Sequence, residues 1–463
     1  MGTYTKTQLT EQLERIQAAT AACRNAVITM GVNVPNDAKL ADLATYAALI
    51  QCSHPDIPCY YISNSDIVFS TRKDVYFDTG LYGGTNITFD AVFSKSVAYN
   101  DGMLFGADDS TTTSFFFIPL YNTSYKYWFC NRIAGRNTQT SGSSTGLADT
   151  FIHYSSNTNL EGSNVYGVVM DGVHDTFNTI TSSSTHTTNT IYLFARNKGT
   201  SGVDCKSPSG SKLRYISFYD NGNLVRFYVP VLHYVNNTYT PCLYDMVNKT
   251  YNYNLGTDTP SYSAMNAYLL TDIHYTSNKT DMTLGFATNY TSSTYMRFDA
   301  GYTPSTESLV DSNSKMLLGN RASSTVFYGI YSSVYSGGQK AAILYPTSRN
   351  VVSSTISANT RYTLSAYAGS GAALYLNNTK TTGSNSPSTS GSGLQMYILG
   401  NGLVYANTKL EYGVISDRYR INSLHAIPII NNSTNTVSFY DLDTQTSYTY
   451  NGDASQLGYD LLV

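Results

Sequence analysis

Charge is what this sequence has least of. Asp, Glu, Lys and Arg supply 13% of its 463 residues and leave a net charge of −3, where soluble domains usually carry ~25%. Nucleic-acid binding and adhesion to an anionic membrane both need clustered Lys and Arg, so neither partner is expected. No apolar run reaches the ~18 residues of a membrane-spanning helix, and the opening MGTYTKTQLTEQLERI has no apolar signal-peptide core. Glutamate occurs only at Glu11, Glu14, Glu161, Glu307 and Glu411. Hydrolysis of a glycosidic bond uses two carboxylates facing each other across it, and no such acidic pairing is written along the chain. A non-enzyme is expected, with an Asp pair assembled across loops left open. Phosphate-binding loops, the zinc-protease helix motif and cysteine quartets are missing. The six cysteines are irregularly spaced and read as free thiols. Cys52, His54 and Cys59 lack the fourth ligand of a metal clip. No metal or cofactor is therefore expected.

Hydroxyl and amide groups take the place of charge, with 42 Tyr against a single Trp. The first fifty residues differ from the rest. Leu9, Leu13, Ile16, Thr20, Cys23, Val27 and Met30 follow the 4-3 spacing of a heptad seam. That pattern suits a helix that self-associates or docks, a trimer being favoured and a dimer possible; a helix packed on its own domain is the alternative. From Tyr60 onward the chain becomes short β-type runs separated by polar, Gly-containing turns. In FYDNGNLVRFYVP, residues 218–230, the Asn221-Gly222 pair predicts a two-residue type I′ turn, because both central residues need positive φ.

A weak repeat runs through the β region. ITFDAVF, with Phe89 and Asp90, matches MRFDAGY, with Phe298 and Asp299. GMLFG (Met103, Gly106) matches KMLLG (Met316, Gly319), IYLFARN (Tyr192) matches MYILGN (Tyr397), and KLRYISF (Lys212) matches KLEYGVI (Lys409). LYDMVNKTYNYN (Tyr244, Asp245) matches FYDLDTQTSYTYN (Tyr440, Asp441). Collinear matches with drifting offsets are the mark of one fold duplicated with unequal loops.

The stretch from Ile216 to Thr257 resembles the closing segment of laminin-G/concanavalin-A-like modules of gut bacteria and their phages. The segment GVNVPNDAKLADLATYAALIQ resembles a short helical unit near the N-termini of phage tail and fibre proteins. The second copy departs from the first by losing the Asn-Gly turn while keeping Pro428 and Tyr440-Asp441. These resemblances imply a mainly β chain: two tandem concanavalin-A-like jelly-roll sandwiches preceded by a short α-helical segment. The boundaries expected are 1–51 for the helical docking or oligomerisation segment, 52–59 for a linker, 60–262 for one sandwich and 263–463 for the other.

The implied role is a bacteriophage virion structural protein, a fibre, spike or decoration. It is assembled in the host cytoplasm and displayed as an exposed appendage. Other virion proteins would hold it by its N-terminal helices, and it would bind bacterial surface glycans for host attachment. A purely architectural capsid or tail component, a polysaccharide depolymerase and a bacterial surface adhesin remain alternatives. Because the fold hosts both lectins and hydrolases, it does not decide between them. Sugars are held by aromatic faces together with hydroxyl and amide groups, and two clusters are the candidate ligand-binding residues. Lys126 and Trp128 share one face of the strand YKYWFC, where Trp128 is either a stacking platform or a packed core residue. Asp171, His174 and Asp175 form the polar cluster DGVHD, an Asp-rich loop of the kind that holds calcium in some members of this fold, which alternatively reads as a simple turn.

Overall fold

The structure, a computed structural model, describes residues 6–29, 39, 54–63, 74–96, 102–110, 113–122, 124–131, 133, 136–141, 147–158, 166–171, 173–177, 186–208, 210–276, 285–293, 296–306, 315–321, 327–335, 338–345, 349–367, 372–382, 393–400, 408–417, 420, 422–450, 452 and 454–462. Residues 1–55 and 56–462 form separate compact units. The first contains the helix Lys6–Thr29. Leu13 and Ile16 of the expected seam are 56% and 52% exposed, Cys23 is exposed, and Thr20 turns its hydroxyl back to the Ile16 carbonyl at 2.7 Å. Leu9 and Val27 lie within the helix, and Met30 falls outside the described residues.

The second unit is two jelly-roll sandwiches of the same topology. In the first, a ten-stranded sheet runs, in spatial order, through Val173–Phe177, Tyr166–Met170, Phe151–Thr158, Ile87–Ser94, Lys212–Asp220, Ile57–Ser63, Asn223–Val235, Thr238–Asp245 and Thr250–Tyr253, with Ser261–Ala264 also paired to Ile57–Ser63. In the second, the ten-stranded sheet runs through Thr379–Thr382, Ala373–Leu376, Tyr362–Tyr367, Met296–Pro304, Thr408–Asp417, Ala267–Tyr275, Ser423–Asn431, Val437–Asp441 and Thr446–Thr449, with Leu457–Leu461 also on Ala267–Tyr275. The two orders correspond strand for strand. The smaller sheets correspond too, except that the first gains the short strands Arg196–Asn197 and Val203–Asp204.

The repeated motifs occupy equivalent places. Asp90 lies opposite Ser217 as Asp299 lies opposite Val414, and Tyr192 faces Gly106 as Tyr397 faces Gly319. The Asn221-Gly222 turn is present, with φ of 50° and 86°, closing a hairpin in which Asp220 faces Asn223. The boundaries need correction at both ends of the first sandwich. Its sheet already contains Ile57–Cys59, inside the expected linker. Pro58 disguised that strand because proline has no N–H to give a ladder, but here its carbonyl serves by accepting from the Met265 N–H at 2.9 Å. At the other end, Ser263 and Ala264 still pair with Tyr61 and Cys59, and the second sandwich opens with Ala267.

Each sandwich has its own apolar core. The first is filled by Phe89, Phe105, Phe117, Tyr154 and Phe218, the second by Phe286, Phe298, Leu364, Ile415 and Phe439. A third cluster draws on both halves: Tyr215, Tyr219, Phe227, Val229 and Tyr244 from the first, Tyr412, Val414, Ile427, Ile429 and Tyr440 from the second. The large sheets therefore pack against each other through the faces that point away from their own cores. This is why Ile87–Ser94 is buried at every position, where a sandwich strand with a wet outer face would alternate.

Candidate functional site

The hairpin turns fasten this interface reciprocally. Arg297 of the second sandwich donates to the Gly222 carbonyl at 2.5 Å, and the Tyr375 hydroxyl donates to the Asn221 carbonyl at 2.6 Å. In return Arg420, in the loop that replaces the Asn-Gly turn, reaches into the first sandwich and donates to the carbonyls of Ser156 (2.8 Å) and Phe89 (3.3 Å). The interface is thus a pseudo-two-fold, each copy's hairpin end docking on the other's FDA strand.

On one side of that pseudo-axis lies a chain of buried titratable groups. Asp90, fully buried, meets His153 Nε2 at 2.6 Å and the Tyr215 hydroxyl at 3.2 Å. The same hydroxyl donates to Asp443 Oδ1 at 2.6 Å. Asp443 also accepts from Ser423 Oγ at 3.1 Å and pairs with Nδ1 of the fully buried His425 at 2.8 Å. His425 Nε2 then faces Asp90 Oδ2 at 3.8 Å. Burial works against the charge on Asp90, yet His153, His425 and Arg420 outweigh it and hold its carboxyl down at about 2. Burial likewise opposes protonation of His153, but Asp90 pulls it up to about 9. Asp441 goes the other way: desolvation, then the neighbouring Asp443, raises it to about 7.

A cleft of about 360 Å³ opens beside this chain. Its walls come from both sandwiches: Phe151, His153 and Asp171 on one side, Asn289, Tyr290, Asn422, Asp443 and Tyr448 on the other. That volume lies at the lower end of the ~300–1,000 Å³ typical of small-molecule sites. Strand pairing places Asp171: its backbone N–H donates to the His153 carbonyl and its carboxylate accepts from the His153 N–H, both at 3.0 Å. The exposed Asp171 carboxylate thus stands next to the imidazole.

No family model matches the chain, and no curated protein matches it. Among solved structures it is similar to domains LG4-5 of the mouse laminin alpha1 chain, at 9% identity over 86% of this chain and 97% of that one, with a TM-score of 0.24. It is also similar to a candidate carbohydrate-binding protein of Bacteroides ovatus, at 12% identity over 87% and 97%, with a TM-score of 0.29.

Of the singled-out residues whose side chains are described, the structure brings only Asp171 to the cleft. His174 and Asp175 lie on the next strand, opposite Val169 and Val168, with their side chains outside the described residues. Trp128 and Lys126 sit on the small sheet of the first sandwich, away from the interface. There Trp128 packs edge-on against Phe116 and Tyr121, with ring centroids 5.0 and 5.1 Å apart, in a satellite cluster with Met103, Ile118 and Cys130. The expected alternation holds, since Tyr127 and Phe129 face the core. The residues missed were His153, His425, Asp443, Asn289 and Asn422. Only docking of the two halves joins them, although one trace was legible: Asp443 puts a carboxylate where the first YD segment has Val247.

Proposed function

We propose that the chain is a non-enzymatic glycan-binding protein whose site is the cleft between its two sandwiches, carried on a phage-type virion appendage and gathered into oligomers by the N-terminal helix. The observation that carries this reading is the composition of the cleft walls. Asn289 and Asn422 offer amides, Asp171 an open carboxylate, and Tyr290, Tyr448 and Phe151 aromatic surface, a combination suited to a short saccharide. Binding is favoured over cleavage because the neighbouring carboxylates are already committed. Asp443 is taken by Tyr215, Ser423 and His425. Asp441 accepts from the backbone N–H groups of His425 and Asp443 and from the Thr444 hydroxyl. A free facing pair, as glycoside hydrolysis requires, is not found among the described cleft residues.

The virion role rests on the helical-unit resemblance and on a helix whose Leu13 and Ile16 stand exposed at seam positions. Oligomers would multiply weak sugar contacts through effective concentration. The test is a glycan array read alongside an assay for released reducing ends. Retention of glycans without release is the expected result, with the signal lost in the Asp171→Ala/Asn422→Ala double variant. Release of oligosaccharide would make the protein a depolymerase, and a silent array would leave it an architectural component.

A further inference from the structure

The duplicated fold supplies an internal control for the cleft, because each residue of the polar chain has a counterpart on the other side of the pseudo-axis. Asp90 corresponds to Asp299 and Tyr215 to Tyr412, by identical pairing across the sheets. Opposite Val92 stands His153; opposite Gly301, in the same register, stands Thr363. Phe227 and His425 play one part, each giving its backbone N–H to the aspartate of its own YD motif, at 3.1 and 3.2 Å. Two residues beyond those aspartates, Val247 corresponds to Asp443, each giving its N–H back to the same carboxylate. One half of the interface is therefore built from Thr363, Phe227 and Val247, and the other from His153, His425 and Asp443.

The apolar half packs well: Phe227 meets Tyr412 edge-on at 5.7 Å, within the shared cluster that also holds Val247. The place matching the cleft is bridged by ions, with Arg361 on Glu411 at 2.8 Å and Lys249 on Glu411 at 2.6 Å. On the cleft side Glu411 and Arg361 correspond to Arg214 and Phe151, which stack at 4.0 Å and leave the space open. Stability does not call for the polar version. Buried ionic groups cost desolvation, and well-packed apolar replacements are often neutral or better. The polar half also leaves Asp90 Oδ2 and His425 Nε2 buried without a hydrogen-bond partner, a further cost.

We propose that this diverged half is a ligand site, one per chain, in which His153 donates from Nδ1 to a hydroxyl oxygen of a bound neutral saccharide while the Asp171 carboxylate accepts from an adjacent hydroxyl. This rests on the glycan reading of the cleft given above. The ring is set for that role: its Nε2 is held by buried Asp90 at 2.6 Å, so Nδ1 is the nitrogen left for the cleft that His153 lines. Asp90 cancels the imidazolium charge, and Asp171 stands open beside it. A neutral vicinal diol satisfies this donor and acceptor together, whereas a uronate would meet Asp171 and an ammonium sugar would meet His153.

The counterpart residues dictate the test, since the same fold already tolerates them. Full-length wild type, His153→Thr and His425→Phe/Asp443→Val are compared by thermal melting and on an array of neutral, uronic-acid and amino-sugar oligosaccharides. The strongest neutral binder is then titrated calorimetrically. We expect neutral glycans to bind wild type with one site per chain, His153→Thr to weaken binding about tenfold or more, as loss of a charge-assisted hydrogen bond should, and the double variant to melt no lower than wild type. Unchanged affinity in His153→Thr, two sites per chain, preference for charged sugars, or a marked fall in melting temperature for the double variant would each overturn this inference while leaving the glycan reading standing. A wholly silent wild-type array would remove both.

Discussion

The buried aspartates of the two YD motifs do one job twice. Asp245 accepts from the N–H groups of Phe227 and Val247 and from the Asn248 amide at 2.6 Å; Asp441 accepts from those of His425 and Asp443 and from the Thr444 hydroxyl at 2.6 Å. Each carboxylate thus ties a turn to the neighbouring strand, the behaviour that makes Asp a turn residue. Asp441 differs in having Asp443 beside it, and desolvation together with that neighbour lifts it from 3.8 to about 7. His153, which faces Asp90, Asp443 and Asp171, is lifted from 6.5 to about 9. Both groups hold protons more tightly when folded. Their stabilisation is complete below the unfolded values and is lost as pH rises, through about 7 for Asp441 and about 9 for His153. Asp90 has the opposite sign: lowered from 3.8 to about 2, it stabilises above 3.8 and fails only as pH falls toward 2. Stability should therefore decline from mildly acidic pH to about 9. Asp441→Asn should flatten the part between pH 4 and 7, where one proton carries up to about 1.4 kcal/mol per pH unit. Urea midpoints measured at several pH values check this, and parallel slopes for variant and wild type would refute it.

At the level of elements, the Asn221-Gly222 hairpin shows what a sequence discloses and what it withholds. The turn was legible because the need for positive φ is local chemistry, written in two residues. The place where it docks was not. Nothing in FYDNGNLVRFYVP indicates that its carbonyls meet Arg297 and Tyr375 in another sandwich, since both lie in a segment with its own complete turn and strand signals. The FDA and YD repeats were visible for the same local reason, yet strand alternation puts the FDA aspartates, Asp90 and Asp299, on the face away from their own cores, which a lone sandwich would leave to solvent. Trp128 stands out by its rarity, while His153 and His425 carry no local signal because only sheet-on-sheet packing brings them near. Gly222 separates the turn's two functions. A methyl group there would meet Tyr367 and Arg297 only at 3.6 and 3.9 Å, so space is available, but φ of +86° is not open to an L side chain without strain. Gly222→Ala should cost about 1–2 kcal/mol, read as a lower denaturation midpoint. Asn221→Gly, which relieves the positive φ of its own residue, should cost far less.

For the whole molecule, the decisive feature is that two sandwiches share a buried face and so should behave as one cooperative body. Tyr219 is the sharpest probe of that coupling. Its ring, fully buried, lies between two guanidinium groups of the other sandwich, Arg297 at 4.1 Å and Arg420 at 3.8 Å. Arg297 is neutralised by a bidentate pairing with Asp299, both contacts 2.8 Å, whereas Arg420 spends its donors on carbonyls of the first sandwich. The ring thus keeps two like charges apart and offers each a π face. Tyr219→Ala would open a cavity and set the guanidinium groups toward each other across it, a loss of about 3–5 kcal/mol on the scale of buried aromatic truncations. Because that loss falls on the interface and on neither sandwich core, calorimetry should show the single wild-type transition dividing into two. Tyr219→Phe removes only a hydroxyl that has no partner, so it should melt as wild type does. If the alanine variant instead melts in one transition, shifted but undivided, the shared apolar cluster of Phe227, Val229, Val414 and Ile429 is enough to hold the halves together, and the arginine-flanked ring contributes packing alone.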